Sequence, residues 1–299
     1  MPDNHLYNGI IPPLVTPLLE SERLDVGGLE RLIERAVAGG VDGFFLLGTT
    51  GEAPNLSHRL QREFIKQAIE LIDGRKPALI GITDCCLTEA LDLSRYGADC
   101  GATAVVFAPP YYYPLSQEEL LRYSLRLVDA LPLPFFLYNI PSHTRNTFER
   151  STARVLSHHP NCLGIKDSSG DWPYFSGLIE DYRDRSDFAV LMGPEEMLAD
   201  AVLAGAAGGV SGGANLYPKL YVDTCRAARE GKAGEARSLQ ATILRLSDKI
   251  YGPAGYLRGM KCALELAGVC SGVLTEPFAP LEDEQRASVR AALIELGLL

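Results

Sequence analysis

The sequence predicts an α/β chain folded as a (β/α)8 (TIM) barrel over residues 1–231, followed by a three-helix extension over residues 232–299. Three observations carry that expectation. Eight short apolar runs recur along the chain, segments of helical period separate them, and the strand signal stops after Gly231. Runs that are apolar throughout, rather than alternating, suit parallel strands buried on both faces. Eight such units in succession fit a closed barrel better than a doubly wound open sheet, which is the competing arrangement.

The expected strands are residues 10–15, 43–47, 78–82, 104–108, 135–139, 163–166, 188–192 and 208–211. After the first, residues 25–37 place Val26, Leu29, Leu32, Ile33, Ala36 and Val37 on one face of a helix that stops at Gly39-Gly40. Residues 57–72 repeat the pattern. Ser57 is the expected N-cap, Leu60, Phe64, Ile65, Ala68, Ile69 and Ile72 face inward, and Gly74 lies past the end. Following the fourth strand, Ser116 with Glu119 fits a capping box and Leu115 with Leu120 a hydrophobic staple, so a helix starts at Gln117. Beyond the last strand, residues 233–251, 257–267 and 283–296 read as three more helices, an appendage without a core of its own.

Composition narrows the function class. The 299 residues carry 28 Lys+Arg against 38 Asp+Glu, a net charge of −10. With no basic run, the chain lacks the footprint of a protein that binds nucleic acid or an anionic membrane surface. A long charge-free run, residues 201–218, contains Gly205, Gly208, Gly209, Gly212 and Gly213 and makes a poor membrane span. Those glycines suit either a phosphate site or close packing. Residues 1–9 show no secretory signal, and the seven cysteines show neither metal spacing nor a disulfide framework, which together predict a cytoplasmic address with most cysteines buried. The histidines, of which only His158 and His159 are adjacent, do not cluster with carboxylates as a metal site requires. No dinucleotide fingerprint opens a βα unit. Neither a metal nor an organic cofactor is expected.

In a barrel of this kind, function sits at the carboxyl ends of the strands. Those ends read Gly48-Thr49-Thr50-Gly51-Glu52, Pro109-Pro110-Tyr111-Tyr112-Tyr113, Tyr138-Asn139-Ile140-Pro141, Lys166-Asp167-Ser168-Ser169-Gly170, Gly193-Pro194-Glu195-Glu196 and Ser211-Gly212-Gly213-Ala214-Asn215. Lys166 stands out, because an amine brought to the apolar interior can form a Schiff base with a ketone, and the iminium is an electron sink for carbon–carbon chemistry. Taken alone, the lysine could equally pair with Asp167 or point to solvent. Tyr138, ending the neighbouring strand, could move protons to and from a carbonyl oxygen, or merely fill the barrel. The Thr49-Thr50 turn could hold a small carboxylate with its N–H groups and hydroxyls, or be only a tight loop.

Taken together, Gly48-Thr49-Thr50-Gly51-Glu52, Tyr111-Tyr112, Tyr138-Asn139-Ile140-Pro141-Ser142 and Gly164-Ile165-Lys166-Asp167 resemble the dihydrodipicolinate synthase / N-acetylneuraminate lyase family, from end to end of the chain. The resemblance implies class I aldolase chemistry on pyruvate or another 2-oxo acid. It makes Lys166 the Schiff-base lysine and Tyr138 the general acid/base. Thr49 would link Tyr138 to Tyr112 of a neighbouring subunit, which implies a homo-oligomer, a dimer or tetramer. Thr49 and Thr50 would cradle the pyruvate carboxylate, and Gly48, Gly193 and Val210 would complete the binding set.

The second substrate, a small aldehyde or a 2-keto-3-deoxy sugar acid, is less determined. In the synthases of this family the stretch after the catalytic tyrosine carries an arginine that binds the carboxylate of aspartate semialdehyde, but here it reads Asn139-Ile140-Pro141-Ser142-His143-Thr144-Arg145. A neutral imidazole at His143 cannot grip a carboxylate with two parallel hydrogen bonds. Arg145 could compensate only if the loop shifts. Ser168, Glu195 and Glu196 resemble the polyol-binding positions of the lyases. These departures place a sugar-acid lyase ahead of a dihydrodipicolinate synthase, with a sugar-acid dehydratase and a non-catalytic 2-oxo acid binder as further alternatives.

Overall fold

Pro12 and Pro13 decide how the barrel closes, because neither has an N–H to give to a strand ladder. The computed structural model describes residues 7–299; residues 1–6 of the stretch read for a signal, with His5, lie outside the described residues. The strands are β1 (Gly9–Ile10), β2 (Leu18–Glu20), β3 (Arg23–Leu24), β4 (Phe44–Leu46), β5 (Ala78–Gly81), β6 (Ala104–Phe107), β7 (Phe135–Asn139), β8 (Cys162–Asp167), β9 (Ala189–Met192) and β10 (Gly208–Gly209). The main sheet runs β1-β10-β9-β8-β7-β6-β5-β4, parallel throughout. Its ends meet where Pro13 bridges Phe45. There Pro12 accepts and Leu14 donates: Phe45 N–H gives to Pro12 O at 3.0 Å, and Leu14 N–H to Phe45 O at 2.9 Å. The expected first strand thus survives as a two-residue ladder and a single bridge.

Successive strand residues point to opposite faces, and two clusters of buried side chains follow from that alternation. Ile11, Phe45, Leu79, Val106, Phe136, Tyr138, Leu163, Leu191 and Val210 fill the barrel interior. The opposite phase, with Phe44, Leu46, Ile80, Val105, Leu137, Ile165 and Val190, packs under the surrounding helices. The antiparallel β2–β3 pair was not expected, since its polar turn residues Ser21 and Glu22 hide the short runs beside them.

The helices begin where their caps predict. Asp25 accepts from Gly28 N–H ahead of Val26–Ala38, although Val26, at the first helical position, is exposed. Ser57 accepts from Leu60 N–H ahead of His58–Ile72, whose buried face is Leu60, Phe64, Ile65, Ala68 and Ile72. The Ser116–Glu119 capping box opens Gln117–Val128, with both reciprocal bonds formed. Ser116→Ala leaves the Glu119 amide without its cap, and is expected to cost about 1 kcal/mol. In urea unfolding this appears as a lower midpoint at unchanged slope.

The carboxyl-terminal helices pack onto the barrel's own. Ala233–Leu246 runs into a π-helical turn, Ser247–Tyr251, followed by Gly252–Ala254, Tyr256–Leu266 and Asp283–Glu295. Their buried residues, among them Ile243, Met260, Leu264 and Val289, belong to the same cluster that lies beneath the barrel helices. Gln240 ties the two parts together, accepting from Ala199 N–H and donating to Glu195 O. No helix among the described residues is long and apolar enough to cross a membrane. Cys162, Cys225, Cys262 and Cys270 are buried, Cys85 and Cys86 are exposed, and all seven cysteines are free.

Candidate active site

Strand phase aims the lysine. Tyr138 pairs with Lys166 and Asn139 with Asp167 across β7 and β8, so Tyr138 and Lys166 share the inward phase while Asn139 and Asp167 share the outward one. Lys166 is buried, its Nζ 4.0 Å from the centre of the Tyr138 ring and 5.1 Å from that of Phe45. Asp167 is held on the other side, accepting from Asn139 Nδ2 and Ser169 Oγ, each at 2.8 Å. The Lys166–Asp167 pair that the sequence left open does not form. Burial pushes the Asp167 carboxyl up, against the pull of those hydrogen bonds.

Thr49 Oγ1 lies 3.4 Å from the buried Tyr138 hydroxyl. Burial alone would raise the phenol's pKa. The Lys166 charge and hydrogen bonds to Thr49, Ser168 and Lys166 outweigh it and hold Tyr138 below the usual tyrosine value. A phenol so placed exchanges a proton more readily near neutral pH. Thr50 Oγ1 is 3.1 Å from the hydroxyl of Tyr256, and Thr16 Oγ1 donates to Gly51 O at 2.7 Å. Glu52 closes the turn in the left-handed conformation, φ 56°, with its carboxylate buried against Lys261.

An open cleft of about 730 Å³ gathers Thr49, Thr50, Tyr138, His143, Lys166, Ser168, Gly193, Glu195, Glu196 and Val210 in its wall. A smaller cavity of about 270 Å³ shares Thr49, Tyr138 and His143 with it and extends past Gly48 to Tyr111. Two expected residues lie elsewhere. Arg145 is exposed and outside the cleft wall, and Tyr112 is exposed, its ring 4.9 Å from that of Tyr113.

The acidic loop is more committed than its sequence suggests. Glu195 accepts from Gly213 N–H at 2.7 Å and from the Tyr221 hydroxyl at 2.8 Å. Burial pushes its carboxyl up to about 7 despite those bonds. Glu196 is exposed and accepts from Ser247 Oγ at 2.6 Å, which leaves it the freer acceptor. Burial and the Lys166 charge push the His143 imidazole down, so it is neutral at pH 7.

Close packing accounts for the glycines that could have marked a phosphate site. A Cβ at Gly212 would lie 1.6 Å from the Tyr256 hydroxyl, and one at Gly213 would lie 1.8 Å from that of Tyr221. Sequence reasoning missed Tyr221, Tyr256 and Arg258, because it sought chemistry only at strand ends. Tyr256 and Arg258 begin a helix of the extension and reach the cleft from outside the barrel.

The model of the Dihydrodipicolinate synthetase family matches residues 6–296. A 4-hydroxy-tetrahydrodipicolinate synthase of Methanoculleus marisnigri is 32% identical, over 98% of this chain and 100% of its own. Among solved structures, dihydrodipicolinate synthase from Bacteroides thetaiotaomicron matches with a TM-score of 0.94 and 45% identity, over 96% of this chain and 98% of its own. YagE of Escherichia coli, a putative 2-dehydro-3-deoxy-D-gluconate aldolase, is 30% identical over the full length of both chains. Its structure in complex with pyruvate matches with a TM-score of 0.92, over 98% of this chain and 100% of its own.

Proposed function

The chain belongs to the dihydrodipicolinate synthetase family, and on that premise we propose a pyruvate-dependent class I aldolase that cleaves, or in reverse forms, a 2-keto-3-deoxy sugar acid. One observation carries the chemistry: a buried lysine and a buried tyrosine face each other across β7 and β8, with the lysine Nζ 4.0 Å from the phenol ring. Lys166 Nζ attacks the C2 carbonyl of the sugar acid, water leaves, and the iminium withdraws electrons from C3. Tyr138, as phenolate, takes the proton of the C4 hydroxyl. The C3–C4 bond breaks, its electrons pass into an enamine, and an aldehyde departs. Protonation at C3 and hydrolysis release pyruvate and the free amine; condensation runs these steps backwards. Thr49 steadies the phenol, and the N–H groups and hydroxyls of the Thr49-Thr50 turn take the substrate carboxylate. Tyr112 is the residue assigned to a neighbouring copy's site, which makes the active form a homo-oligomer.

Substrate choice rests on His143, neutral where a synthase of this family would present a guanidinium, and on Ser168 and Glu196 as partners for polyol hydroxyls. The second reading, condensation of pyruvate with aspartate semialdehyde, is favoured by the names of the relatives. Incubation with pyruvate, borohydride reduction and peptide mass analysis are expected to find the adduct on Lys166. An unmodified Lys166 overturns the mechanism. A panel of 2-keto-3-deoxy sugar acids is then expected to release pyruvate faster than aspartate semialdehyde consumes it; the reverse ordering selects the synthase.

A further inference from the structure

We infer that Arg258 is a specificity-determining residue of the cleft, and that it binds an anionic group at the far end of the aldehyde half of the substrate. The inference rests on the aldolase reading of Lys166 and adds to it the charge of the second reactant.

Arg258 stands in the cleft wall with Lys166, Tyr138 and His143, half-buried, yet no hydrogen bond or ion pair among the described residues engages its guanidinium. Two carboxylates, Glu195 and Glu196, line the same cleft. Both Glu195 oxygens are occupied, by Gly213 and Tyr221, and Ser247 takes one oxygen of Glu196. A half-buried guanidinium with an unused five-donor fork is built for a planar or tetrahedral oxyanion, which it can hold through paired hydrogen bonds. The other basic groups of the wall are accounted for, because Lys166 makes the imine and the His143 imidazole is neutral.

The backbone beneath Arg258 is fixed on both sides. Tyr256, two residues earlier, meets Thr50 in the turn assigned to the substrate carboxylate, and Lys261, three residues later, is buried against Glu52 of the same turn. The backbone that carries Arg258 is therefore held in a set relation to the carboxylate pocket. One end of the substrate meets Thr49 and Thr50, the middle meets Lys166 and Tyr138, and the far end meets Arg258. A chain with net charge −10 that accepts a doubly anionic substrate needs such a local counter-charge.

The test compares three acceptors of one skeleton in pyruvate condensation: glyceraldehyde, glyceraldehyde 3-phosphate, and tartronate semialdehyde, whose terminal carbon is a carboxylate. At least one anionic acceptor is expected to exceed glyceraldehyde in kcat/KM, and which of them does so identifies the anion as phosphate or carboxylate. In Arg258→Met the ratio of anionic to neutral acceptor is expected to fall about 10- to 100-fold. Arg258→Lys, which keeps the charge but not the fork, is expected to recover part of it. Because the readout is a ratio, partial loss of folded enzyme divides out. A preference for glyceraldehyde over both anions, or a ratio unchanged in Arg258→Met, overturns the inference even where borohydride traps pyruvate on Lys166. If that trapping fails, the aldolase reading itself has failed.

Discussion

Tyr138→Phe is expected to lower kcat by about 10²- to 10⁴-fold, the range over which a positioned acid/base contributes, while pyruvate is still trapped on Lys166 by borohydride. The two readouts part because the substitution removes one oxygen and little else. The ring stays in the barrel interior, against Phe45 at a centroid distance of 6.2 Å. The lysine keeps its strand position and its aromatic neighbours. What is lost is the hydroxyl that Thr49 meets at 3.4 Å and that the Lys166 charge and hydrogen bonds hold below the usual tyrosine value. With no phenolate to accept the C4 proton, carbon–carbon cleavage stalls after imine formation. Thr49→Val is expected to show a smaller loss in kcat and to move the ascending limb of the cleavage pH profile to higher pH, since one of the interactions that depress the phenol has gone. A Tyr138→Phe enzyme that turns over within a few-fold of the parent would assign the proton to another group.

The inward set of the site was legible because strand phase and strand ends are local properties. Eight apolar runs located eight strands, and period-two alternation then decides that Tyr138 and Lys166 face in together while Asp167 faces out. Two errors of detail have physical causes. Pro12 and Pro13 cannot donate, so the first strand contracts to Gly9–Ile10. Val26 sits at the first turn of its helix, where the apolar stripe has not yet turned toward the sheet. The extension's contribution to the site was not legible. Nothing about Tyr256 and Arg258 in sequence says that a helix 90 residues beyond Lys166 folds back over the barrel mouth; the long-range contacts of Gln240, Tyr256 and Lys261 decide it. The acidic loop misled for a related reason. Glu195 reads as an open acceptor until Tyr221 and Gly213, both distant in sequence, are seen to occupy it.

Lys261→Met is expected to destabilise the fold by about 3–5 kcal/mol, the usual cost of stranding one member of a buried ion pair. Lys261 and Glu52 have fully buried side chains, and their charges meet across the seam between the extension and the loop after β4. Lys261 Nζ also donates to Val273 O at 2.6 Å. The second Glu52 oxygen accepts from Thr275 N–H at 2.8 Å and from Thr275 Oγ1 at 2.7 Å. Burial drives the Lys261 ammonium down, and the Glu52 carboxylate opposes that shift. Take the ammonium away and Glu52 is left as an uncompensated carboxylate in a buried seam. The deficit against the parent is read as a lower urea midpoint. Glu52→Gln combined with Lys261→Met removes both charges and is expected to recover part of the loss. A double variant no more stable than Lys261→Met would show that packing of the lysine stem holds the seam rather than the charge pair. The same seam carries the turn that bears Thr49 and Thr50, so a Lys261→Met enzyme that remains folded is also expected to bind pyruvate more weakly.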